Sequence, residues 1–306
     1  VPTIDDVHAD AGSDGDGRCD DPVVLDQWYA VCALTELDNG AITTPLLGVE
    51  VTCVADDPDV PLVHADGVEL PVRLRYGFVW TTLGTPAGDV FDLPESLEPD
   101  RRYVPCGWIT MRTSPGRVVE NFLDMAHFPF VHPGILGGES NTEVAKYESE
   151  IRRDVDEVWA TNCTFFQPQV SASSEGAFAH LSYRVPAPYL VVLYRVSPAD
   201  PTRQDAIALF IQPITQTLCR AQPVMYLVDQ EADHTDLLHF EQTIFLQDRI
   251  IVENQRPLLL PLDPRDEIPT RADGSSITYR RWLKAKGLRY GALPFPPARS
   301  RRGADA

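Results

Sequence analysis

No stretch of the 306-residue chain approaches the roughly 20 consecutive apolar residues that cross a bilayer, and its most apolar runs, such as Tyr189 to Tyr194, have the length of buried strands. Positive charge is also scarce. Against 45 Asp and Glu stand only 26 Lys and Arg, a formal net charge of -19 that repels phosphate backbones and anionic headgroups. These two shortages exclude nucleic acid and membrane from the expected partners. The six cysteines (Cys19, Cys32, Cys53, Cys106, Cys163, Cys219) form no CxxC, CxH or CxxH, and their wide spacing fits free thiols in a reducing cytoplasm better than a disulfide framework. There is no GxGxxG or other nucleotide fingerprint, and no internal repeat. With 43% of its residues hydrophobic, the chain can nevertheless bury a sizeable core.

Composition divides the chain into four parts. Residues 1–22 hold seven Asp and three Gly among few apolar residues and are expected to form an acidic disordered arm. Residues 294–306, with Pro294, Pro296 and Pro297 followed by Arg299, Arg301 and Arg302, read as a solvated tail. Over 23–110, short apolar runs broken by Gly, Asp and Pro predict a small β-rich domain. Over 111–293 the texture changes. A helix is predicted from Arg117 to His127, an antiparallel sheet of about five strands from Glu157 to Val228, and a long closing helix from about Asp233 to Gln255. The expected class is α+β.

The chemistry is concentrated in Glu120-Asn121-Phe122-Leu123-Asp124-Met125-Ala126-His127-Phe128-Pro129-Phe130-Val131-His132. Asn121, Asp124 and His127, three apart, fall on one stripe of a helix. His132 would point elsewhere on a continuous helix, but Pro129 predicts a kink that swings it back towards His127. Two imidazoles and one carboxylate on a single face, with open positions left, form the donor set of non-haem Fe(II) oxygenases. Asp248 is the best third ligand, because an unpaired carboxylate within Phe245-Leu246-Gln247-Asp248-Arg249-Ile250-Ile251 would be costly unless compensated. Asp124, one turn before His127, suits the support that a ligating imidazole needs at its other nitrogen. The structural alternative is a core histidine and a helix carboxylate paired with Arg249. A run so dense in polar groups among Phe and Met favours coordination.

These residues resemble the mononuclear-iron motif of Rieske non-haem iron oxygenases, in which an Asn/Asp/His/His segment is followed by a distant Asp. The resemblance extends to Asp26-Gln27-Trp28-Tyr29, Tyr76-Gly77-Phe78-Val79-Trp80 and Tyr279-Arg280-Arg281-Trp282-Leu283. It implies a degenerate Rieske-like β domain followed by a helix-capped antiparallel sheet of helix-grip (START-like) type. In that architecture an apolar substrate pocket is expected between Phe122, Met125 and Phe128 on one side and Phe165, Phe210 and Phe245 on the other, with Gln167, Gln212, Gln242 or Gln247 available as an amide donor to the ring. It further implies His127, His132 and Asp248 as Fe(II) ligands, Asp124 as the bridge by which electrons arrive, and Asn121 as a nearby polar residue. Where the family has Glu before the ligand Asp, this chain has Gln247. The family also holds a [2Fe-2S] cluster on CxH and CxxH, whereas between Trp28 and Tyr76 there are only Cys32, Cys53 and His64, so no cluster is expected in this chain.

With no cluster expected, the sequence resembles Rieske-deficient N-demethylase components of bacterial methylxanthine degradation. That similarity implies O2-dependent removal of an N-methyl group as formaldehyde from a small aromatic or heterocyclic substrate. Electrons would come from a Rieske-containing reductase, and a second oxygenase subunit would be a further partner. O-demethylation, ring hydroxylation of another aromatic, or a non-catalytic role in a hetero-oligomer are the alternatives. A 2-oxoglutarate oxygenase would begin its ligand set with HxD, which occurs at His8-Ala9-Asp10, His64-Ala65-Asp66 and His234-Thr235-Asp236, each in an incidental setting.

Overall fold

In the structure, a computed structural model describing residues 17–55, 60–171, 176–263 and 265–293, the strand-like runs pair into three sheets. A short helix α1 (Pro22–Leu25) leads into β1 (Tyr29–Ala33), β2 (Ile42–Leu46), β3 (Val49–Val54), β4 (Leu62–Ala65), β5 (Val68–Leu70), β6 (Val72–Arg75) and β7 (Phe78–Thr81). Strands β2-β3-β4-β5 form one small sheet and β1-β7-β6 another, all pairs antiparallel. This is the β-rich region expected from the punctuated sequence.

Two expected boundaries move. Residues 1–16 of the anticipated acidic arm and the tail 294–306 lie outside the described residues. Residues 17–22, however, are docked: Asp21 is buried, caps α1 by accepting from the Val23 N–H, and also accepts from the backbone N–H groups of Arg289 and Tyr290. The boundary at 110 is crossed as well. Strands β8 (Arg102–Pro105) and β9 (Ile109–Met111) both pair with a strand of the C-terminal sheet, so they are part of it.

That larger sheet follows helices α2 (Pro115–Leu123) and α3 (Phe128–Val131) and adds β10 (Glu148–Arg152), β11 (Glu157–Gln167), β12 (Ala177–Ala187), β13 (Leu190–Val196), β14 (Gln204–Thr215) and β15 (Leu218–Leu227). Its antiparallel order is β10-β11-β12-β13-β14-β15-β8, with β9 also on β15. Both faces are covered, so strand parity decides which compartment a residue enters. On β14, Ala206, Ala208 and Phe210 face the N-terminal layer, where Phe210 packs against Trp80 and Phe78 at 4.9 and 5.6 Å between ring centroids. Leu209 and Ile211 enter the main core on the other face.

Over that face lies α4 (His234–Asn254), bounded by its Asp233 cap and ending before Pro257, within one residue of the predicted limits. Its buried residues, Leu237, Glu241, Ile244, Phe245, Asp248 and Val252, recur at helical spacing and form one stripe. That stripe carries two carboxylates. Helix α5 (Gly274–Lys286) completes the helical layer.

Helix α2 starts where Ser114 accepts from the Arg117 N–H and Pro115 fills the first turn. It is then fixed by a buried ion network. Arg117 bonds Glu120 at 2.9 Å, Glu267 at 2.7 Å and the Pro257 carbonyl at 3.1 Å, and Arg280 bonds both of the same carboxylates. Removing one partner strands buried charge, so Arg117→Ala is expected to destabilise the protein by about 3–5 kcal/mol. A denaturant titration measures this, and an unchanged midpoint would refute it.

Candidate metal centre and the adjoining chamber

The predicted helix to His127 ends early. At Asp124 the backbone turns extended (ψ 129°), because its carboxylate takes the Ala126 and His127 N–H groups at 2.8 and 3.2 Å. Such local acceptance competes with helix continuation. The chain then forms α3, with His127 immediately before it and His132 immediately after. Pro129 is therefore not the kink anticipated: it occupies the first turn of α3, where its missing N–H is harmless. The two histidines meet across a single helical turn, with Nε2 atoms 3.2 Å apart.

Asp248, from the buried stripe of α4, brings Oδ1 to 3.3 Å from His127 Nε2 and 2.9 Å from His132 Nε2. Asn121 Nδ2 reaches the same oxygen at 3.5 Å. The far nitrogens are both held. His127 Nδ1 lies 3.1 Å from Asp124 Oδ2, and His132 Nδ1 lies 2.8 Å from Gln247 Oε1. Both partners are acceptors, so each imidazole keeps its proton on Nδ1 and turns the Nε2 lone pair towards the other ring. Two lone pairs and a carboxylate oxygen aimed at one point repel unless a proton or a metal ion lies among them.

The spacing fits a metal ion. Ligand nitrogens about 2.1 Å from a cation and at right angles are about 3.0 Å apart, close to the separation observed. Among the described residues, His127, His132 and Asp248 are the one group of three or more His, Cys, Asp or Glu whose ligand atoms converge, all within 4.8 Å. The same acceptors hold a second proton on His127 when no other cation is present. Burial lowers the His127 pKa, but hydrogen bonds to Asp124 and Asp248 outweigh it and hold the pKa up to about 9. Burial raises that of Asp248, yet the two imidazoles bring it below the usual carboxylate range.

Two spaces meet here. On the Asp124 side an open cleft of about 600 Å³ is lined by Asn121, Asp124 and His127 and rimmed by the exposed Ile251 and Ile268. On the opposite side a narrow chamber runs between the sheet and α4, walled by Phe122, Phe128, Leu181, Leu193, Ile244 and Phe245. Phe122, Phe128 and Phe245 were expected as such walls. Phe165 stands behind Phe128 at 5.5 Å, and Met125 is a core residue. Phe210, also expected to face the substrate, is instead on the opposite face of β14.

The four glutamines considered as amide donors part company. Gln212 bonds Thr44 and Pro45, Gln242 bonds the Cys106 carbonyl, and Gln247 holds His132; Gln167 alone of the four both lines the chamber and leaves a buried oxygen, Oε1, unpaired. Three polar chamber residues were missed from sequence: Tyr183, Arg195 and Glu241. Glu241 had a legible signal, lying seven residues before Asp248 in the same stripe. Burial pushes its carboxyl up to about 7 against the pull of Arg195. The HxD pairs are elsewhere: His8 and Asp10 lie outside the described residues, Asp66 pairs with Arg18, and His234 opens α4.

Comparison with known proteins gives the same picture. The family described as "Vanillate O-demethylase oxygenase C-terminal domain" matches residues 111–289. The chain is 44% identical over 271 residues to "Probable methylxanthine N7-demethylase NdmC" of Pseudomonas sp. (strain TJI-51), covering 88% of this chain and 96% of that one. It is 25% identical over 223 residues to "Methylxanthine N1-demethylase NdmA" of Pseudomonas putida, covering 69% of this chain and 58% of that one. The solved structure of Pseudomonas putida CBB5 NdmA with caffeine superposes with a TM-score of 0.69 at 17% identity, covering 86% of this chain and 90% of the other, which establishes a shared fold.

Proposed function

Since the chain belongs to the Rieske oxygenase catalytic-domain family, we propose that it is an O2-dependent N-demethylase of methylxanthine-like heterocycles, acting through a mononuclear Fe(II) held by His127, His132 and Asp248. The observation that carries this reading is the convergence of those three donors at the inner end of an apolar chamber. When bound, Fe(II) supplies activation of O2 and insertion of one oxygen atom into a methyl C–H bond. The overall reaction takes the N-methyl heterocycle, O2, two electrons and two protons to the demethylated ring, formaldehyde and water. The nitrogen–carbon bond of the hydroxylated methyl breaks, its hydroxyl proton is lost as formaldehyde forms, and the ring nitrogen takes up a proton.

The protein's share is positioning. Phe122 and Phe245, 6.1 Å apart and 26° from parallel, present apolar surfaces suited to a planar ring. Asp124 and Gln247 fix the imidazole tautomers, and Asn121 steadies Asp248. Since Gln247 is neutral, it orients His132 without the added basicity that a carboxylate would give.

The two small sheets formed by β1–β7 are assigned as a Rieske-like β domain without its cluster, and electrons are assigned to a separate Rieske-containing reductase, with a second oxygenase subunit as a further partner. Asp124, a quarter exposed on the open cleft and bonded to His127, is where that donor would approach. In the test, iron-loaded protein with NAD(P)H and methylated purines consumes no oxygen alone and releases formaldehyde once a Rieske-containing reductase is added. Comparable turnover with only a flavin reductase would overturn the donor assignment. Turnover of methoxybenzoates in place of purines would overturn the substrate assignment.

A further inference from the structure

Directly after His132 the chain folds back on the helix it has just left. The His132 carbonyl accepts from the N–H groups of Ile135 and Leu136 at 3.1 Å and of Gly137 at 3.3 Å, and the Gly137 carbonyl accepts from Gly134 N–H at 2.8 Å. This turn sets Gly137 down on the Phe128–Pro129 peptide of α3. A β-carbon on residue 137 would lie 2.5 Å from Pro129 N, 2.6 Å from Pro129 Cα and 2.7 Å from the Phe128 carbonyl carbon. Gly137 is buried and does not adopt a left-handed φ, so it is space, and not backbone conformation, that excludes a side chain here.

The two surfaces in contact belong to different imidazoles. The Phe128–Pro129 peptide follows His127 in the chain, whereas Gly137 is tied by its N–H to the His132 carbonyl. Neither side yields easily. The pyrrolidine ring fixes φ at Pro129, and the Phe128 ring is buried against Phe165 at 5.5 Å between centroids. On the far side of the turn, the Ile135 carbonyl is held by Gln169 N–H at 2.9 Å. A methyl at position 137 must therefore drive two backbone segments apart by about 1 Å to reach the roughly 3.5 Å of an ordinary carbon contact. His127 and His132, with Nε2 atoms 3.2 Å apart, ride on those segments. Metal–ligand distances tolerate only about 0.2 Å, so such a shift is several times what the centre can absorb.

We propose that Gly137 and Pro129 are positioning residues for the metal centre: a residue without a side chain rests on a peptide that a proline ring holds rigid, which closes the loop behind His132 and sets the separation of the two imidazoles. This deepens the Fe(II) reading and rests on it. The same closure brings Leu136 to the wall of the chamber beside the ligands.

The test is binding of the metal alone by the full chain, without substrate or reductase. Fe(II) affinity is measured anaerobically by chelator competition, and the visible absorption of bound Co(II) reports how the ligands are arranged. Gly137→Ala is expected to lose about 10–100-fold in Fe(II) affinity, the range for residues that orient ligands, and to shift the Co(II) bands. Pro129→Gly adds no atom and creates no clash that could block folding; it is expected to lose about tenfold, the lower end of that range, with a shift in the same bands. Gly287→Ala serves as the control for stability. It strains a left-handed glycine (φ 77°) at the end of α5 with open space around it, and is expected to lower the denaturation midpoint while Fe(II) affinity and Co(II) bands stay at wild-type values. A merely structural role for Gly137 would reproduce the control. Wild-type Fe(II) affinity and Co(II) bands in Gly137→Ala, or in Pro129→Gly should Gly137→Ala not fold, overturn the proposal and leave the metal-centre reading standing. If wild type itself binds neither Fe(II) nor Co(II), the metal-centre reading falls, and this inference with it.

Discussion

His132→Ala is expected to abolish formaldehyde release and to weaken iron binding by more than the 10–100-fold that loss of a supporting partner typically costs, because it removes a ligand rather than its support. The side chain is fully buried, so its loss also leaves Gln247 Oε1 without its donor and Asp248 with one imidazole instead of two. An unsatisfied buried acceptor costs about 1–3 kcal/mol, which is not enough to unfold an ordinary domain. Circular dichroism should therefore remain native-like while metal analysis falls from about one iron per chain to a trace. Full iron content with retained turnover in His132→Ala would remove the metal-centre assignment.

Asp124→Asn should separate two quantities that His132→Ala loses together. An amide oxygen in the place of Oδ2 can still accept two of the three N–H groups that Asp124 now holds, both from His127, so α3 and His127 stay near their places and iron is retained within about tenfold. What disappears is the negative charge between the imidazole and the open cleft. Turnover driven by the reductase is expected to fall about 100-fold, at the upper end of such supporting effects, whereas a single turnover of chemically pre-reduced protein stays much closer to wild type. Equal losses in both assays would make Asp124 a structural support for His127 and not an electron bridge.

Most of the convergence of His127, His132 and Asp248 was legible in the sequence because its signals are local or strongly penalised. The Asp233 cap and Pro257 bracket α4 within a few residues of chain, and a carboxylate at position 248 among Phe, Leu and Ile has few inexpensive explanations. The break after Leu123 was missed for a physical reason: the helical pattern continues to His127, and only the acceptance of two backbone N–H groups by Asp124 shows that the chain turns there. Phe210 was misplaced because a strand's parity relative to its two covered faces depends on register across the whole sheet. Glu241 escaped notice because an acidic residue on an amphipathic helix ordinarily faces water, and its burial depends on sheet residues such as Arg195 and Ile207, far away in sequence. The boundary at 110 failed similarly, since nothing near β8 announces that its partner is β15.

The stripe on α4 also acts as a ruler. One rigid helix carries Asp248, the glutamine that holds His132 and the acidic group at the polar end of the chamber, so the reach from the proposed metal site to that end is not freely adjustable. Positions facing the chamber recur only every three or four residues, in steps of about 5 Å along the axis. Moving the acidic group from Glu241 to Ile244 or Phe245 would shorten the separation from Asp248 by about half. A change in the size of the chamber in this scaffold is therefore expected to come in whole helical turns, by exchanging which residue of one face fills it.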